Sequence, residues 1–163
     1  MQKTTASIRY AKALFQLAMD ENRAKEVLAD ACAVSELVKT EDSLKKLIDN
    51  PTVKQNVKIR VFKKLFNQKV NTITMNFLIL VIKKGRESFL IDITNRYEEI
   101  YNQYHKISVV DVISAQPINE TIKEKIKEKM SIDGGSVRLK EKVDKSLLGG
   151  FIIKRGDLQY DAT

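Results

Sequence analysis

The amino-acid sequence predicts an α+β fold, in which an N-terminal six-helix bundle is followed by a small C-terminal α/β domain. Apolar residues recur at helical spacing up to about residue 105. From Ile107 to Ala115 β-branched residues dominate, and these suit a pleated sheet better than a helix. Gly134-Gly135 then separates a further helical pattern from strand-like segments. We therefore expect two domains, residues 1–105 and residues 106–163.

Apolar stripes and one stop signal predict the first three helices. The third should stop at Asn50, because a residue that precedes proline is pushed out of the α region. The stripes are Ile8, Ala11, Phe15 and Ala18 in the first helix, Val27, Ala31, Val34 and Val38 in the second, and Leu44, Leu47 and Ile48 in the third.

Start and stop signals predict three more helices. Thr52 and Gln55 have the spacing of a capping box, which would begin a fourth helix. A fifth helix should run from about Asn71 to Lys84 and end at Gly85, a residue type that favours the left-handed conformation after a helix. The apolar residues are Val53, Val57 and Val61 in the fourth helix, and Phe89, Ile93, Tyr97, Ile100 and Tyr104 in the sixth. Six helices joined by short links are typical of a bundle.

The C-terminal segments predict the order β-α-β-β-β. The strand Ile107–Ala115 is followed by helical spacing of apolar residues after Pro117. Residues 137–143 alternate as in a half-buried strand, and residues 151–160 with Gly156-Asp157 are typical of a hairpin. We therefore expect a small sheet with one covering helix.

The sequence contains no pattern that indicates catalysis, a cofactor or a metal. His105 is the single histidine and has no Cys or His pair nearby. Cys32 is the single cysteine, so it forms no internal disulfide. Neither glycine pair has the Lys-Ser/Thr of a phosphate loop, and Asp144, Asp157 and Asp161 fall at predicted strand ends or turns. We expect a non-enzymatic binding protein.

A basic segment suggests an anionic partner. The formal net charge is +8, and the nine Lys and Arg residues between Pro51 and Arg86 are accompanied by no acid. This leaves nucleic-acid binding open as the alternative function. In that alternative the phenylalanines would stack on bases and the lysines would contact phosphates: Phe62, Phe66 and Phe77, with Lys54, Lys58, Lys63 and Lys64.

Two helices carry more apolar surface than one core face requires. The first helix has a second stripe, and the fifth is apolar nearly all round. We expect these extra residues to form a groove that holds an amphipathic helix of a partner, unless the second and fourth helices of the chain cover them. The groove residues are Tyr10, Ala13, Leu14 and Leu17 on the first helix, and Phe77, Leu80 and Val81 on the fifth.

Four segments, in the same order, resemble one protein family. Arg9–Phe15 resembles the R/P-Y-A-K-A-x-F opening of the delta subunit of rotary ATP synthase, called the oligomycin-sensitivity-conferring protein in mitochondria. Asn76–Arg86 is similar to the N-F-L…G-R helix of that family, and Val112–Ala115 to its V-x-S-A strand. Val143–Phe151, continued by Gly156-Asp157 and Tyr160-Asp161, is similar to its most distinctive signature, in which we expect structural roles for Asp144, Ser146, Gly149 and Gly150.

The resemblance implies a stator function without direct nucleotide binding. The family subunit joins the catalytic head to the peripheral stalk, so that the head cannot turn with the rotor. It implies that the groove binds the N-terminal helix of an alpha subunit and that the C-terminal domain binds the stalk b subunit. It also implies a peripheral position, for a bacterial chain on the cytoplasmic face of the inner membrane. The family continues into a terminal helix after this point, and we expect that helix to be missing from a chain that stops at Thr163.

Overall fold

The computed structural model describes residues 5–131 and 134–161. The helices are α1 (Thr5–Asp20), α2 (Ala24–Thr40), α3 (Asp42–Asp49), α4 (Gln55–Phe66), α5 (Thr72–Lys83), a 3-10 turn (Glu87–Phe89), α6 (Leu90–Tyr104) and α7 (Glu120–Met130). The strands are β1 (Ile107–Ser114), β2 (Ser136–Val143), β3 (Phe151–Arg155) and β4 (Leu158–Asp161). The predicted α+β class and the β-α-β-β-β order are confirmed.

The chain divides into two compact units, Met1–Tyr101 and Asn102–Thr163. We call them the helical unit and the sheet unit. Helix α6 continues to Tyr104, past this division. None of the described helices is both long enough and apolar enough to cross a lipid bilayer.

Aromatic residues join the two ends of the helical unit's sequence. The Phe15 ring meets the rings of Tyr97 and Tyr101 edge to face, with centroids 5.8 Å and 6.5 Å apart. The Tyr97 hydroxyl donates a hydrogen bond of 2.8 Å to the Ala24 carbonyl. Burial raises the pKa of Tyr97 above its ordinary value, so this hydroxyl stays protonated. The stripe predicted for α1 therefore packs against α6.

The predicted start of α4 is wrong. The helix begins at Gln55 after Lys54, which makes no side-chain capping bond. The Asn50 side-chain oxygen instead accepts hydrogen bonds from the Thr52 amide, at 3.0 Å, and from the Thr52 hydroxyl, at 2.6 Å. Thr52 is thus held in the turn after α3, because an Asn side chain competes for nearby backbone donors.

The valines named from the sequence as the apolar residues of α4 do not form its buried face. Val57 is exposed and Val61 only half-buried, whereas Lys58, Phe62 and Phe66 are buried. Lys58 is tolerated in the core because its ammonium nitrogen lies 2.6 Å from a Glu87 carboxylate oxygen and donates to the Ile48 carbonyl at 3.1 Å. The ion pair joins α4 to the 3-10 turn, and the hydrogen bond to Ile48 joins α4 to the end of α3.

Helix α5 ends at Gly85, as predicted. Gly85 has φ +67°, and its amide donates to the Ile82 carbonyl at 2.9 Å. The Arg86 amide donates to the Val81 carbonyl at 3.0 Å. These two bonds form a Schellman motif, which satisfies the last carbonyls of the helix and fixes the direction in which the chain leaves it.

The sheet unit has one helix over a four-stranded sheet of order β2-β1-β3-β4. Strand β1 pairs in parallel with β2 and antiparallel with β3, and β3 pairs antiparallel with β4. Helix α7 connects β1 to β2 and covers one face, as the Lys123 bond of 2.9 Å to Glu141 on β2 shows. The core of this unit comprises Val110, Val112, Ile126, Met130 and Ile153.

Candidate partner-binding groove

The candidate groove lies where α1 meets α5. The rings of Tyr10 and Phe77 are in edge-to-face contact, with centroids 6.1 Å apart and an angle of 73° between the planes. Both side chains are half-buried, so each keeps part of its ring accessible. The two rings therefore join the predicted walls of the groove and form part of its surface.

Three of the predicted groove residues are exposed. Ala13 is exposed, and Leu17 and Leu80 keep 47% and 44% of their surface accessible. Ala13 and Leu17 are four residues apart and so share one face of α1. Ala13 follows Tyr10 and Leu80 follows Phe77 by three residues, so each ring has an exposed apolar neighbour on its own helix, as expected of a surface that an amphipathic helix covers.

Leu14 and Val81 correct the predicted groove, because both are buried in the core of the chain, at 4% and 0% exposure. Leu14 follows Ala11 by three residues and Val81 follows Leu78 by three, so each also belongs to the stripe that faces the core. They support the groove from below and offer almost no surface to a partner.

The remaining apolar residues of α5 are mostly covered by the chain itself. Leu78 and Ile82 are buried, and Met75 and Ile79 are half-buried. Covering by neighbouring helices thus accounts for most of the apolar character of this helix. The exposed apolar surface that remains on α5 is therefore small and centres on Leu80.

Arg86 is a groove residue that the search for apolar stripes missed. Its guanidinium carbon lies 5.5 Å from the centre of the Tyr10 ring, over the ring face. The side chain is half-buried. Sequence spacing gave no signal for this contact, because Tyr10 and Arg86 lie far apart in the sequence and meet only in the folded chain.

A second apolar depression of about 450 Å³ lies between α2, α3 and α4. Its lining residues are Leu37, Glu41, Ser43, Leu44, Leu47, Val61 and Leu65. The sequence analysis named Val57 and Val61 only as apolar residues of the fourth helix and did not predict this depression. The stripe that they form with Leu65 at intervals of four residues faces outward.

The signature residues of the sheet unit shape the loop between β2 and β3. One Asp144 carboxylate oxygen accepts hydrogen bonds from the Ser146 amide, at 3.0 Å, and from the Ser146 hydroxyl, at 2.6 Å. These bonds from Ser146 lower the pKa of the Asp144 carboxyl. The Asp144 amide in turn donates to the Ser114 carbonyl at 2.8 Å, which ties the loop to the end of β1.

Gly149 and Gly150 complete this loop with positive φ angles of +147° and +72°. At Gly150 the left-handed conformation disfavours any side chain, so the backbone conformation favours glycine there. The loop borders a depression of about 520 Å³, into which residues of β1, α7 and β3 also face. Leu148 on its rim is fully exposed.

The basic segment does not keep the arrangement that nucleic-acid binding would need. Phe62 and Phe66 are buried, so they cannot stack on bases. Lys58 is only 3% exposed and is paired with Glu87, so it cannot contact a phosphate. Lys54, Lys63 and Lys64 are exposed. Within residues 5–131 and 134–161 there is no group of three His, Cys, Asp or Glu residues that could hold a metal ion.

Comparisons with known proteins agree on one family. The family described as ATP synthase delta (OSCP) subunit matches residues 6–163. The chain is 34% identical to ATP synthase subunit delta of Cytophaga hutchinsonii over 99% of this chain and 88% of that protein. It is 33% identical to the Brevibacillus brevis subunit of the same name, over 95% of this chain and 89% of that protein.

Solved structures agree as well. A chain of the Toxoplasma gondii mitochondrial ATP synthase hexamer has the same fold, with a TM-score of 0.74 at 23% identity over 92% of this chain and 84% of that chain. A chain of the Polytomella F-ATP synthase, in a structure of the F1 head and rotor, has a TM-score of 0.58 at 25% identity. That similarity covers 64% of this chain and 92% of the other.

Proposed function

We propose that this chain, which belongs to the ATP synthase delta (OSCP) subunit family, is a non-catalytic stator subunit of a rotary, proton-translocating ATP synthase. In this role it joins the catalytic head to the peripheral stalk and resists the torque of the rotor. Its work is mechanical, so buried contact area and rigidity take the place of reacting groups. It binds the N-terminal helix of an alpha subunit through the helical unit and the stalk b subunit through the sheet unit.

The observation that carries this proposal is the uncovered apolar surface between α1 and α5. Ala13, Leu17 and Leu80 are exposed on the two helices whose Tyr10 and Phe77 rings are in contact. An amphipathic helix laid on this surface would remove these side chains from water, and burial of each leucine contributes on the order of 1–3 kcal/mol. The small side chain of Ala13 allows such a helix to approach α1 closely.

The test is a titration of the full chain with a synthetic peptide of the alpha-subunit N-terminus from the same organism. Ala13→Glu should abolish binding, because it places a charge and a bulky side chain in the groove. The helical content should not change, since residue 13 is exposed. Ala29→Glu on α2 is the matched control, because Ala29 is also an exposed helical alanine. Equal binding by both variants would refute the groove assignment.

The sheet unit is the proposed contact for the stalk. The loop that contains Leu148 leaves a large apolar side chain fully exposed beside the depression near Ser114. Leu148→Asp should weaken binding to the soluble part of the b subunit without changing binding of the alpha peptide. Leu158→Asp on β4 is the control, because Leu158 is exposed but does not line that depression.

The proposed location follows from the proposed partners. The chain would sit on the membrane-bound complex through its protein contacts, on the cytoplasmic face of a bacterial inner membrane. Washing membranes at high salt or with a chaotrope should release the chain together with other head components, which immunoblotting would detect. Release only by detergent would contradict this.

A further inference from the structure

We propose that Arg86 determines which helix the α1/α5 groove accepts, by pairing with an acidic residue on the polar face of the docking helix. The inference rests on the proposed function of the groove and adds a chemical requirement to it. An apolar surface alone would accept any amphipathic helix. A fixed cation at one end of the groove distinguishes between such helices by their charge and sets their direction.

The backbone holds Arg86 in place from the α5 side. The Schellman motif at Gly85 fixes the Arg86 amide on the Val81 carbonyl at 3.0 Å. The Arg86 carbonyl in turn accepts from the Phe89 amide at 2.9 Å, at the start of the 3-10 turn. Both peptide groups of Arg86 are therefore engaged, and the side chain leaves the backbone in a defined direction.

The neighbouring residue anchors Arg86 from the other side. Glu87 is buried and holds the Lys58 ammonium at 2.6 Å. Lys58 also binds the carbonyl of Ile48, so this anchor reaches α3 and α4. Glu87 is the acid nearest to Arg86 in the sequence, and its charge is already neutralised by Lys58. The buried pair therefore fixes the residue that directly follows Arg86 in the chain.

The ring of Tyr10 supports the guanidinium at the groove surface. At 5.5 Å from the ring centre, the cation lies over the face of an aromatic ring that itself contacts Phe77. A guanidinium that is supported on a ring keeps the edge with its N–H groups for a planar carboxylate. Because Arg86 is half-buried, the attraction is less screened than it would be on an open surface.

The surrounding charges give the groove a direction. Arg9 precedes Ala13 by four residues on the same face of α1, next to Tyr10, and is exposed. Lys83 and Lys84 follow Leu80 by three and four residues on α5 and are also exposed. At the other end of α1 the charge changes sign at Asp20. A docking helix should therefore place its acidic residues at the Tyr10–Arg86 end.

The experiment measures the affinity of the full chain for two peptides at several salt concentrations. One is the alpha-subunit N-terminal peptide from the same organism, and the other is the same peptide with every Asp and Glu replaced by Asn and Gln. Arg86→Gln should weaken binding of the first peptide by about 10- to 100-fold, as expected for loss of a charge-assisted contact. The affinity of the Arg86→Gln variant for this peptide should also depend less on the salt concentration than that of the wild type. Lys39→Gln is the control, because Lys39 is exposed on α2 and belongs to neither helix of the groove, and it should change binding by less than about threefold.

The two peptides separate a direct contact from a structural effect. If Arg86 pairs with a peptide acid, wild type and Arg86→Gln should bind the amide peptide equally. Arg86→Lys should keep the salt dependence of the wild type while losing part of its affinity. If Arg86→Gln fails to fold, the inference still requires that the wild type bind the amide peptide about tenfold or more weakly than the native peptide.

The outcomes distinguish this inference from the proposed function. Binding of the native peptide by the wild type, together with equal binding of the amide peptide, would overturn the role of Arg86 and leave the groove assignment intact. No binding of the native peptide by the wild type would overturn both.

Discussion

The helical unit encloses charged and polar groups in its core, whereas the sheet unit has a small, mainly apolar core beneath one helix. In the helical unit, Lys58 and Glu87 form a buried ion pair, and the buried Thr74 hydroxyl donates to the Asp30 carboxylate at 2.7 Å. In the sheet unit, the core residues of β1, β3 and α7 are aliphatic or Met. The buried hydroxyl of Ser114 is satisfied locally, by the Gln116 carbonyl at 2.6 Å.

This difference shows what limits the stability of each unit. A buried ion pair attracts strongly only while both partners are present, and removal of one leaves a charge without compensation. The helical unit is therefore most sensitive to the loss of a particular partner. The sheet unit has fewer than about 70 residues, a size at which a single core gives only marginal stability. It is therefore most sensitive to any loss of apolar volume.

The largest effect is expected from Lys58→Met in the helical unit. The substitution leaves the Glu87 carboxylate buried without its partner, which should cost about 3–5 kcal/mol. Urea denaturation of the full chain, followed by helical circular dichroism, would measure this. The double variant Lys58→Met/Glu87→Leu should regain most of the lost stability. If the double variant is no more stable than the single one, a charge left without a partner is not the cause.

The next prediction compares the same side-chain truncation, isoleucine to alanine, in the cores of the two units. Ile126→Ala in α7 and Ile93→Ala in α6 both remove buried apolar atoms, at about 2–5 kcal/mol each. Because the sheet unit is small, Ile126→Ala should unfold it and leave the helical unit folded. Amide hydrogen exchange would then show loss of protection only beyond about residue 106. Equal loss of protection in both halves would contradict the independence of the two units.

A smaller effect is expected from Gly150→Val in the loop between β2 and β3. Its φ of +72° is a conformation that β-branched residues rarely adopt, so the strain should cost about 1–3 kcal/mol. Leu148→Ala in the same loop is the control, because Leu148 is fully exposed and its loss should leave the melting temperature of the free chain unchanged. Similar melting temperatures for the two variants would argue against backbone strain at Gly150.

The smallest effect concerns pH and Asp144. Hydrogen bonds from Ser146 lower the pKa of this carboxyl in the folded chain. The ionised form therefore contributes stability above the pKa of the unfolded chain, and this contribution is lost as the pH falls through the lower, folded value. The melting temperature of the sheet unit should fall slightly in acid, and Asp144→Asn should remove this part of the dependence. If the melting temperature of the variant depends on pH as strongly as that of the wild type, Asp144 is not the group responsible.

The sequence patterns sufficed for local structure in both units. Apolar spacing predicted α1, α2 and α3, and Gly85 predicted the end of α5, because these features depend on neighbours within a few residues. The change to β-branched residues at Ile107 likewise marked β1. Local periodicity was also enough to find the exposed Ala13 and Leu17 on a second face of α1.

Contacts between distant residues account for what the patterns missed. Lys58 is buried because Glu87, 29 residues later, neutralises it, and a lysine on a helix otherwise predicts an exposed position. Apolar spacing on α1 also could not assign Leu14 to the core, because Leu14 lies between the core stripe and the second stripe and its spacing agrees with both. Arg86 became a groove residue only when the fold brought it to Tyr10.

The arrangement of the sheet has a consequence for the order in which the chain folds during its synthesis. Strand β1 lies between β2 and β3. Its first residue, Ile107, can pair only after Ser136 has been synthesised, and Val112 can pair with β3 only after Ile153 has been synthesised. The helices that precede β1 can already pack, because domains fold as units from the N-terminal end during synthesis. In a nascent chain β1 therefore has two unpaired edges until β2 has left the ribosome and one until β3 has followed, and this apolar strand is the segment that a chaperone would need to shield.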